Sequence, residues 1–310
     1  MTNIKPKLIA VVGPTASGKT ELSLRLAEAL NGEILSCDSM QIYRGMDIGT
    51  AKPSMEERQG IPHHLIDIVS PADSFSCADY KRLAEEAIRD VLSRGKTPIF
   101  CGGTGLYLDA VLTVNDFSPT VPQGLREELE EKDPDALWEE LLTVDPEAAA
   151  TMHKNNRKRV IRALEIYRGT GKTKTEWDRL SRQSESPYDT LIFGLDYQNR
   201  EALYDRIDRR VDLMLEQGLI EEAKALALDR ASTAGQAIGY KELYGWLDGR
   251  MPREEAIDLL KKNTRHYAKR QLTWFRRNSR VLWFYLDTGE REKNFENIVN
   301  IAKKHLNITQ

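Results

Sequence analysis

The chain has 310 residues, 40% of them hydrophobic and 30% charged, with a formal net charge of −3. That length suits an α/β core with an attached subdomain, and no apolar run nears the roughly 20 residues of a membrane helix, so a soluble protein outside the membrane is expected. The start lacks the apolar stretch and small-residue cleavage site of a signal peptide, giving a cytoplasmic expectation, while Cys37, Cys77 and Cys101 have no CxxC spacing and point to neither a disulfide framework nor a zinc site.

In chain order, residues 8–12 read as a buried strand, followed by a glycine-rich turn and a helix patterned by Leu22, Leu24, Leu26, Ala27 and Leu30. Asn31-Gly32 ends that helix. Strand 33–38 comes next, then an extended edge over 62–69, a helix over 76–93 and a third core strand over 97–101. This alternation predicts a parallel sheet with helices on both faces. From Pro119 to Ser186 strand signals stop and a charged helical pattern takes over, punctuated by Asp133-Pro134, Asp145-Pro146 and Gly169-Thr170-Gly171. Strand 190–196 follows, then helices over 201–217, 219–229 and 253–277, strand 281–286 and helix 294–306. The expected organisation is a core domain of 1–118 and 187–310 interrupted by a helical insertion of 119–186.

Gly13-Pro14-Thr15-Ala16-Ser17-Gly18-Lys19-Thr20 matches GxxxxGK[ST] at every fixed position, between a predicted strand and a predicted helix. Its backbone N–H groups form an anion nest at a helix start, Lys19 adds a charge, and the Thr20 hydroxyl is a Mg²⁺ ligand candidate. A di- or triphosphate is the expected ligand, and the fold class is a P-loop NTPase-like α/β sheet. A kinase or ATPase places an acid at the end of a core strand to help hold Mg²⁺, but the third strand ends in Cys101-Gly102-Gly103-Thr104. The acid comes earlier, as Asp38, at a strand end that faces the ligand crevice in an open parallel sheet.

Charge is segregated along the chain. Residues 126–147 hold ten acids and two bases, 154–174 hold eight Lys/Arg and only Glu165, and 261–280 hold eight Lys/Arg with no acid. Two acid-poor basic stretches, the second with Tyr267, Trp274 and Phe275, point to a polyphosphate or nucleic-acid partner. Two functions share this phosphate grip: a small-molecule kinase using Asp38 on a hydroxyl, and a non-enzymatic RNA-binding module switched by nucleotide. The kinase leaves the basic aromatic stretches unexplained.

The stretch from Asp38 to Pro53 resembles the tRNA dimethylallyltransferase (isopentenyl-diphosphate:tRNA transferase) family, and the resemblance continues through 60–67, 102–107, 158–165, 236–241 and 268–276. It covers nearly the whole chain and is closest to the bacterial form, since three cysteines cannot build the zinc-finger tail of eukaryotic relatives. The resemblance implies transfer of a dimethylallyl group from dimethylallyl diphosphate to N6 of the adenosine 3′ of the anticodon, in tRNAs reading codons that begin with U. It also implies a monomer. The P-loop then grips a leaving diphosphate rather than ATP, with Mg²⁺ as cofactor.

On this reading Lys19, the loop amides and a Mg²⁺ on Thr20 stabilise the departing diphosphate. Arg206 and Arg210 lie one helical turn apart, and Arg210 matches the family's diphosphate-contacting arginine. Asp38 is the expected base for the adenine amine. The resemblance further assigns Asp38, Ser39, Met40 and Gln41 to the acceptor nucleotide. It assigns Thr104, Arg126, Lys158, Arg159, Val160, Ile161, Arg162, Gln236, Ala237, Ile238, Gly239, Tyr240 and Lys241 to tRNA, with the acceptor base flipped out of its stack. Tyr43 and Tyr107 are stacking candidates, and structural hydrogen bonding is the expectation for His63 and His64.

Overall fold

The computed structural model describes residues 5–113, 121–122, 124–183 and 185–308. The chain divides into two compact units, Met1–Val111 with Tyr188–Gln310, and Leu112–Pro187. The expected start of the insertion at Pro119 lies outside the described residues.

The first unit opens with β1 (Lys7–Val12), α1 (Lys19–Ala29), β2 (Gly32–Ser36), β3 (His63–His64), α2 (Cys77–Ser93), β4 (Thr97–Gly102) and α3 (Gly105–Leu112), whose last residue is counted with the second unit. The second unit contains α4 (Leu125–Glu131), α5 (Pro134–Val144), α6 (Pro146–Ala150), α7 (Arg157–Thr170) and α8 (Lys174–Gln183). The first unit then resumes with β5 (Asp189–Asp196), α9 (Arg200–Glu216), α10 (Leu219–Leu226), α11 (Tyr244–Leu247), α12 (Arg253–Phe275), β6 (Val281–Tyr285) and α13 (Arg291–Leu306).

All neighbouring strands pair in parallel, in the order β3-β2-β4-β1-β5-β6. A parallel sheet is covered on both faces, which is why its central strand reads as an unbroken apolar run: Leu8, Ile9, Ala10 and Val11 are all fully buried. Leu22, Leu26 and Ala27 of α1 pack with Phe295, Ile298 and Ala302 of α13 in the same core. The chain enters β2 from α1 through Asn31 at φ 49°, a left-handed turn suited to the short polar side chain of asparagine.

The extended edge expected over 62–69 shrinks to two residues, because Leu65 and Asp67 take φ of 63° and 58° and no strand survives left-handed residues. Only Val69 returns to bridge Tyr43. Helix α10 stops at Leu226, three residues before its expected end, where Ala227 turns left-handed. The pattern also hid α3, which is apolar on nearly every side and so shows no 3.6-residue periodicity. In the second unit the Asp-Pro pairs start helices: Asp133 and Asp145 accept from the N–H of Ala136 and Ala148, with proline at the first helical position of α5 and α6.

The C-terminal end of β5 is pinned by a carboxylate. Asp196 is fully buried and accepts from Arg200 Nη1 at 3.0 Å, Arg276 Nη2 at 2.6 Å and the Tyr197 amide at 2.8 Å. It ties α9 and the end of α12 to the strand. Asp196→Ala removes the buried acceptor shared by two half-exposed arginines and the Tyr197 amide and is expected to lower unfolding free energy by about 2 kcal/mol, read by urea denaturation; a loss below about 0.5 kcal/mol would show the clamp to be dispensable.

Candidate active site

Three loops meet at the C-terminal strand ends of the first unit. The first is the turn after β1. Gly13 sits at φ 143°, where a Cβ would come within 2.4 Å of the Leu195 carbonyl, so only glycine lets the turn run this close to β5. The second leaves β2 through Cys37, and the third leaves β4 through Gly102. These two press together: Thr104 donates its amide to the Cys37 carbonyl at 3.0 Å, and its hydroxyl accepts from the Ser39 amide at 3.0 Å. Asp38 between them forms an Asx turn, accepting from the Met40 amide at 2.9 Å.

A cleft of about 750 Å³ opens over these loops. Residues 15–20 form its floor, Asp38 to Gln41 one wall, and Arg206, Arg210, Tyr267 and Arg270 of α9 and α12 another. Gln236, Ala237, Ile238, Gly239 and Lys241 close the far side.

Its electrostatics are dominated by unneutralised cations. Lys19 is half-buried and turns its ammonium back onto the Pro14 carbonyl at 2.6 Å. Burial holds its pKa down to about 8, with Arg210's charge acting in the same direction and Asp38's against it. Arg206 donates Nε to the Ala16 carbonyl at 2.9 Å and lies over the Tyr197 ring. Arg210 is the most exceptional. Its Nε is buried with no hydrogen-bond partner, and burial lowers its pKa although Asp38 opposes the shift. The Ser17 hydroxyl is buried and unpartnered as well. Buried donors without a protein partner beside a phosphate loop fit an oxyanion ligand.

Sequence patterns alone do not single out Gln271. Its carboxamide accepts from the Thr15 amide at 2.8 Å and donates to the Gly103 carbonyl at 3.1 Å, so one side chain of α12 joins the first loop to the third. The signal that could have found it is a glutamine on the apolar stripe of α12, buried beside Ala268, Leu272 and Phe275. Tyr267, one turn earlier, reaches Thr104 and Gln271 with its hydroxyl, and burial raises its pKa.

Other expected site residues fall elsewhere. Gly13 and Pro14 shape the loop from beneath the cleft. Tyr240 is fully buried with its hydroxyl donated to Glu222 at 2.6 Å, so its side chain offers no surface to a nucleic acid. Tyr43 is likewise core, and Tyr107 already stacks on Tyr80 with ring centroids 3.9 Å apart. His64 bonds Glu33 at 2.7 Å and His63 the Ile61 carbonyl at 2.8 Å, a structural use of both rings. The basic run of 261–280 is partly scaffold: Lys261 pairs with Asp212, Arg265 with Asp208 and Arg276 with Asp196.

In the second unit Val160 and Ile161 are buried in its own core, Arg162 pairs with Glu165 at 2.7 Å, and Arg126 with Glu130 at 3.0 Å. Lys158 and Arg159 are exposed on α7.

A parallel sheet whose first strand feeds a glycine-rich loop, with a lysine and arginines converging on it, defines a P-loop NTPase-like α/β protein. A family model described as IPP transferase matches residues 41–278, and the chain belongs to that family. It is 52% identical to a tRNA dimethylallyltransferase of Halalkalibacterium halodurans over 305 residues, 96% of each chain. Identity is again 52% with the tRNA dimethylallyltransferase of Anoxybacillus flavithermus, over 90% of each chain. Among solved structures it is similar to the tRNA isopentenylpyrophosphate transferase of Bacillus halodurans, with a TM-score of 0.74, 48% identity and coverage of 98% and 97%. A eukaryotic dimethylallyltransferase acting on tRNA gives a TM-score of 0.85 at 32% identity, covering 98% of this chain and 80% of the other. No helix among the described residues is long and apolar enough to cross a membrane.

The lowered pKa of Lys19 makes anion binding pH-dependent. With a free-state value of about 8 the ammonium loses its proton as pH rises through that value, and the neutral amine forfeits its attraction for a polyanion. Inorganic pyrophosphate affinity is therefore expected to fall between about pH 7 and about pH 9, with proton uptake on binding. Calorimetry in buffers of different ionisation enthalpy reads that uptake. Lys19→Arg should flatten the profile, and a wild-type profile already flat would show that Lys19 does not titrate in this window.

Proposed function

We propose that this chain transfers a dimethylallyl group from dimethylallyl diphosphate to N6 of the adenosine 3′ of the anticodon in tRNA, releasing diphosphate. The observation that carries it is the pairing, in one cleft, of a phosphate loop ringed by unneutralised cations with Asp38 in their field. A diphosphate as leaving group needs cations. An amine as acceptor needs a carboxylate.

In the reaction the adenine N6 lone pair forms the bond to C1 of the prenyl group, the C1–O bond breaks, and its electrons leave with the diphosphate. Lys19, Arg206, Arg210 and the amides of residues 15–20 stabilise the charge that develops on the leaving oxygens, a preorganised electrostatic contribution. The N6 proton passes to the Asp38 carboxylate, a general-base role. Thr104 holds the Ser39 amide beside Asp38 and steadies that loop. The 236–241 segment closes the far side of the cleft and faces the acceptor, and Lys158 and Arg159 of the second unit meet the tRNA backbone.

Oxygen donors suit Mg²⁺ here. No group of three or more His, Cys, Asp or Glu that could hold a metal exists among the described residues, so the protein alone builds no metal cage. Mg²⁺ commonly takes one or two protein oxygens and completes its shell with phosphate and water, which fits the exposed Thr20 hydroxyl on the cleft floor. Bound there, it would neutralise diphosphate charge.

Incubation with labelled dimethylallyl diphosphate and bulk tRNA, followed by digestion to nucleosides, should yield prenylated adenosine. Labelled phosphate on a small acceptor from ATP would indicate a kinase, and no product with either donor a switch. Asp38→Asn should lower single-turnover prenylation on the order of 10² to 10⁴ with tRNA affinity retained; near-normal rates would remove Asp38 as base.

Replacing Lys158 and Arg159 by Ala should reduce the slope of log K against log salt for tRNA binding by about 0.7 to 0.9 for each phosphate that is no longer neutralised. An unchanged slope would make those side chains ordinary surface charge.

A further inference from the structure

The second loop of the cleft does not end at Gln41. It dips into the core through Ile42, Tyr43 and Met46, then re-emerges as residues 47–51, of which Gly49, Thr50 and Ala51 line the cleft. This tip has no strand or helix to hold it. Lys52 braces one side, bonding the Asp47 carboxylate at 2.6 Å and the Tyr43 carbonyl at 2.9 Å, and a carboxylate on α10 gathers its backbone. Glu222 Oε2 accepts from the amides of Asp47 at 2.9 Å and Ile48 at 2.8 Å, while Oε1 accepts from the Gly49 amide at 2.9 Å and the Tyr240 hydroxyl at 2.6 Å. Three successive backbone N–H groups converging on one anion make a nest, here filled by the protein's own side chain.

The same node reaches both walls of the cleft. Gly49 and Gly239 pack backbone to backbone, since a Cβ on Gly239 would meet the Gly49 carbonyl oxygen at 3.2 Å, and a Cβ on Gly49 would collide with the Tyr240 ring. Residues 236–239 are thus anchored to the tip through Tyr240. On the other side, Gln41 Nε2 donates to the carbonyls of Thr50 at 3.4 Å and Ala51 at 3.3 Å, and Gln41 Oε1 accepts from Ser36 at 2.9 Å. The Gln41 side chain thus bridges the tip to β2.

We infer that Glu222 is a positioning residue for the acceptor nucleotide: by gathering the amides of residues 47–49 and the Tyr240 hydroxyl it sets Gln41 and the 236–239 segment in register with each other. The inference rests on the proposed acceptor site and deepens it. It also explains why a buried tyrosine sits within the segment expected to touch tRNA: Tyr240 anchors that segment from behind. The diphosphate half of the cleft is built from other elements, the P-loop, α9 and Gln271, so Glu222 acts on one substrate and not the other.

The test compares Glu222→Gln, Glu222→Ala and Tyr240→Phe with the parent chain. Glutamine keeps one acceptor oxygen for Asp47 and Ile48 but turns an amide against the Gly49 N–H. Dimethylallyl diphosphate affinity, read by calorimetry, should stay within about twofold of the parent, while kcat/KM for tRNA falls about tenfold in Glu222→Gln, the factor expected for losing one hydrogen bond to a charged group. Glu222→Ala should lose more, and Tyr240→Phe less. In a Gln41→Ala background the effect of Glu222→Gln should shrink, because coupled residues are not additive. Unchanged tRNA kinetics in Glu222→Gln, equal loss of donor and tRNA affinity, or full additivity with Gln41→Ala would each overturn the inference. Should the alanine variant fail to fold, Glu222→Gln and Tyr240→Phe decide. If the parent chain itself transfers no prenyl group, the proposed function fails, and that outcome is separate from any difference among variants.

Discussion

A guanidinium and an ammonium held half out of water without a carboxylate partner are the constraint on which this molecule is organised. Removing such ions from solvent costs several kcal/mol each unless an opposite charge compensates, and Arg210 and Lys19 both show that cost as lowered pKa values. Asp38 is close enough to be felt by both and bonds to neither; its carboxylate accepts instead from the Met40 amide. The arrangement is unfavourable by itself, and a bound polyanion would offset its cost. Rigid parallel strands are needed to sustain it, because a pliable site would relax by letting the cations turn to solvent.

The legible parts of the sequence were those written by local rules. The P-loop announces itself through fixed glycines and a lysine, and the core strands through apolar runs whose burial on both faces leaves no alternation to misread. Asp38 could be placed because strand ends in a parallel sheet converge on one side. The less legible parts depend on long-range partners. Gln271 lies 256 residues from Thr15, whose amide it accepts, and nothing in its neighbourhood signals that bond except its place on an apolar stripe. Tyr240 reads as a contact residue because its segment resembles the family's tRNA-contacting stretch, yet its hydroxyl faces Glu222 on helix α10. The strand expected over 62–69 fails for a local reason, two left-handed residues, of which Leu65 is of a type that seldom adopts that conformation.

Acids of the first unit, buried at Asp196 and Glu242 and half-buried at Glu222, serve as internal ligands. Asp196 holds Arg200 and Arg276, Glu222 gathers three amides and a hydroxyl, and Glu242 accepts from the Gly239 amide and Asn263. Each substitutes for water or regular structure where a loop must be fixed near the cleft. A carboxylate does this well because it accepts several bonds at once, each stronger than a neutral pair. The acids thereby leave the cleft itself mostly to cations.

That division explains how a chain with a net charge of −3 presents a strongly basic site. Helix α9 shows it within a few turns. Asp208 and Asp212, four residues apart, share one stripe and pair with Arg265 and Lys261 of α12. Arg206 and Arg210 are also four apart but start two residues earlier, and at 3.6 residues per turn two residues correspond to about 200° around the helix. The acids therefore face α12 while the arginines face the P-loop, and neither can neutralise the other. Moving either stripe by two positions would let the helix satisfy its own charges and leave the phosphate loop without them. Function in this protein thus depends less on how many bases the chain contains than on the helical phase that keeps its acids turned away.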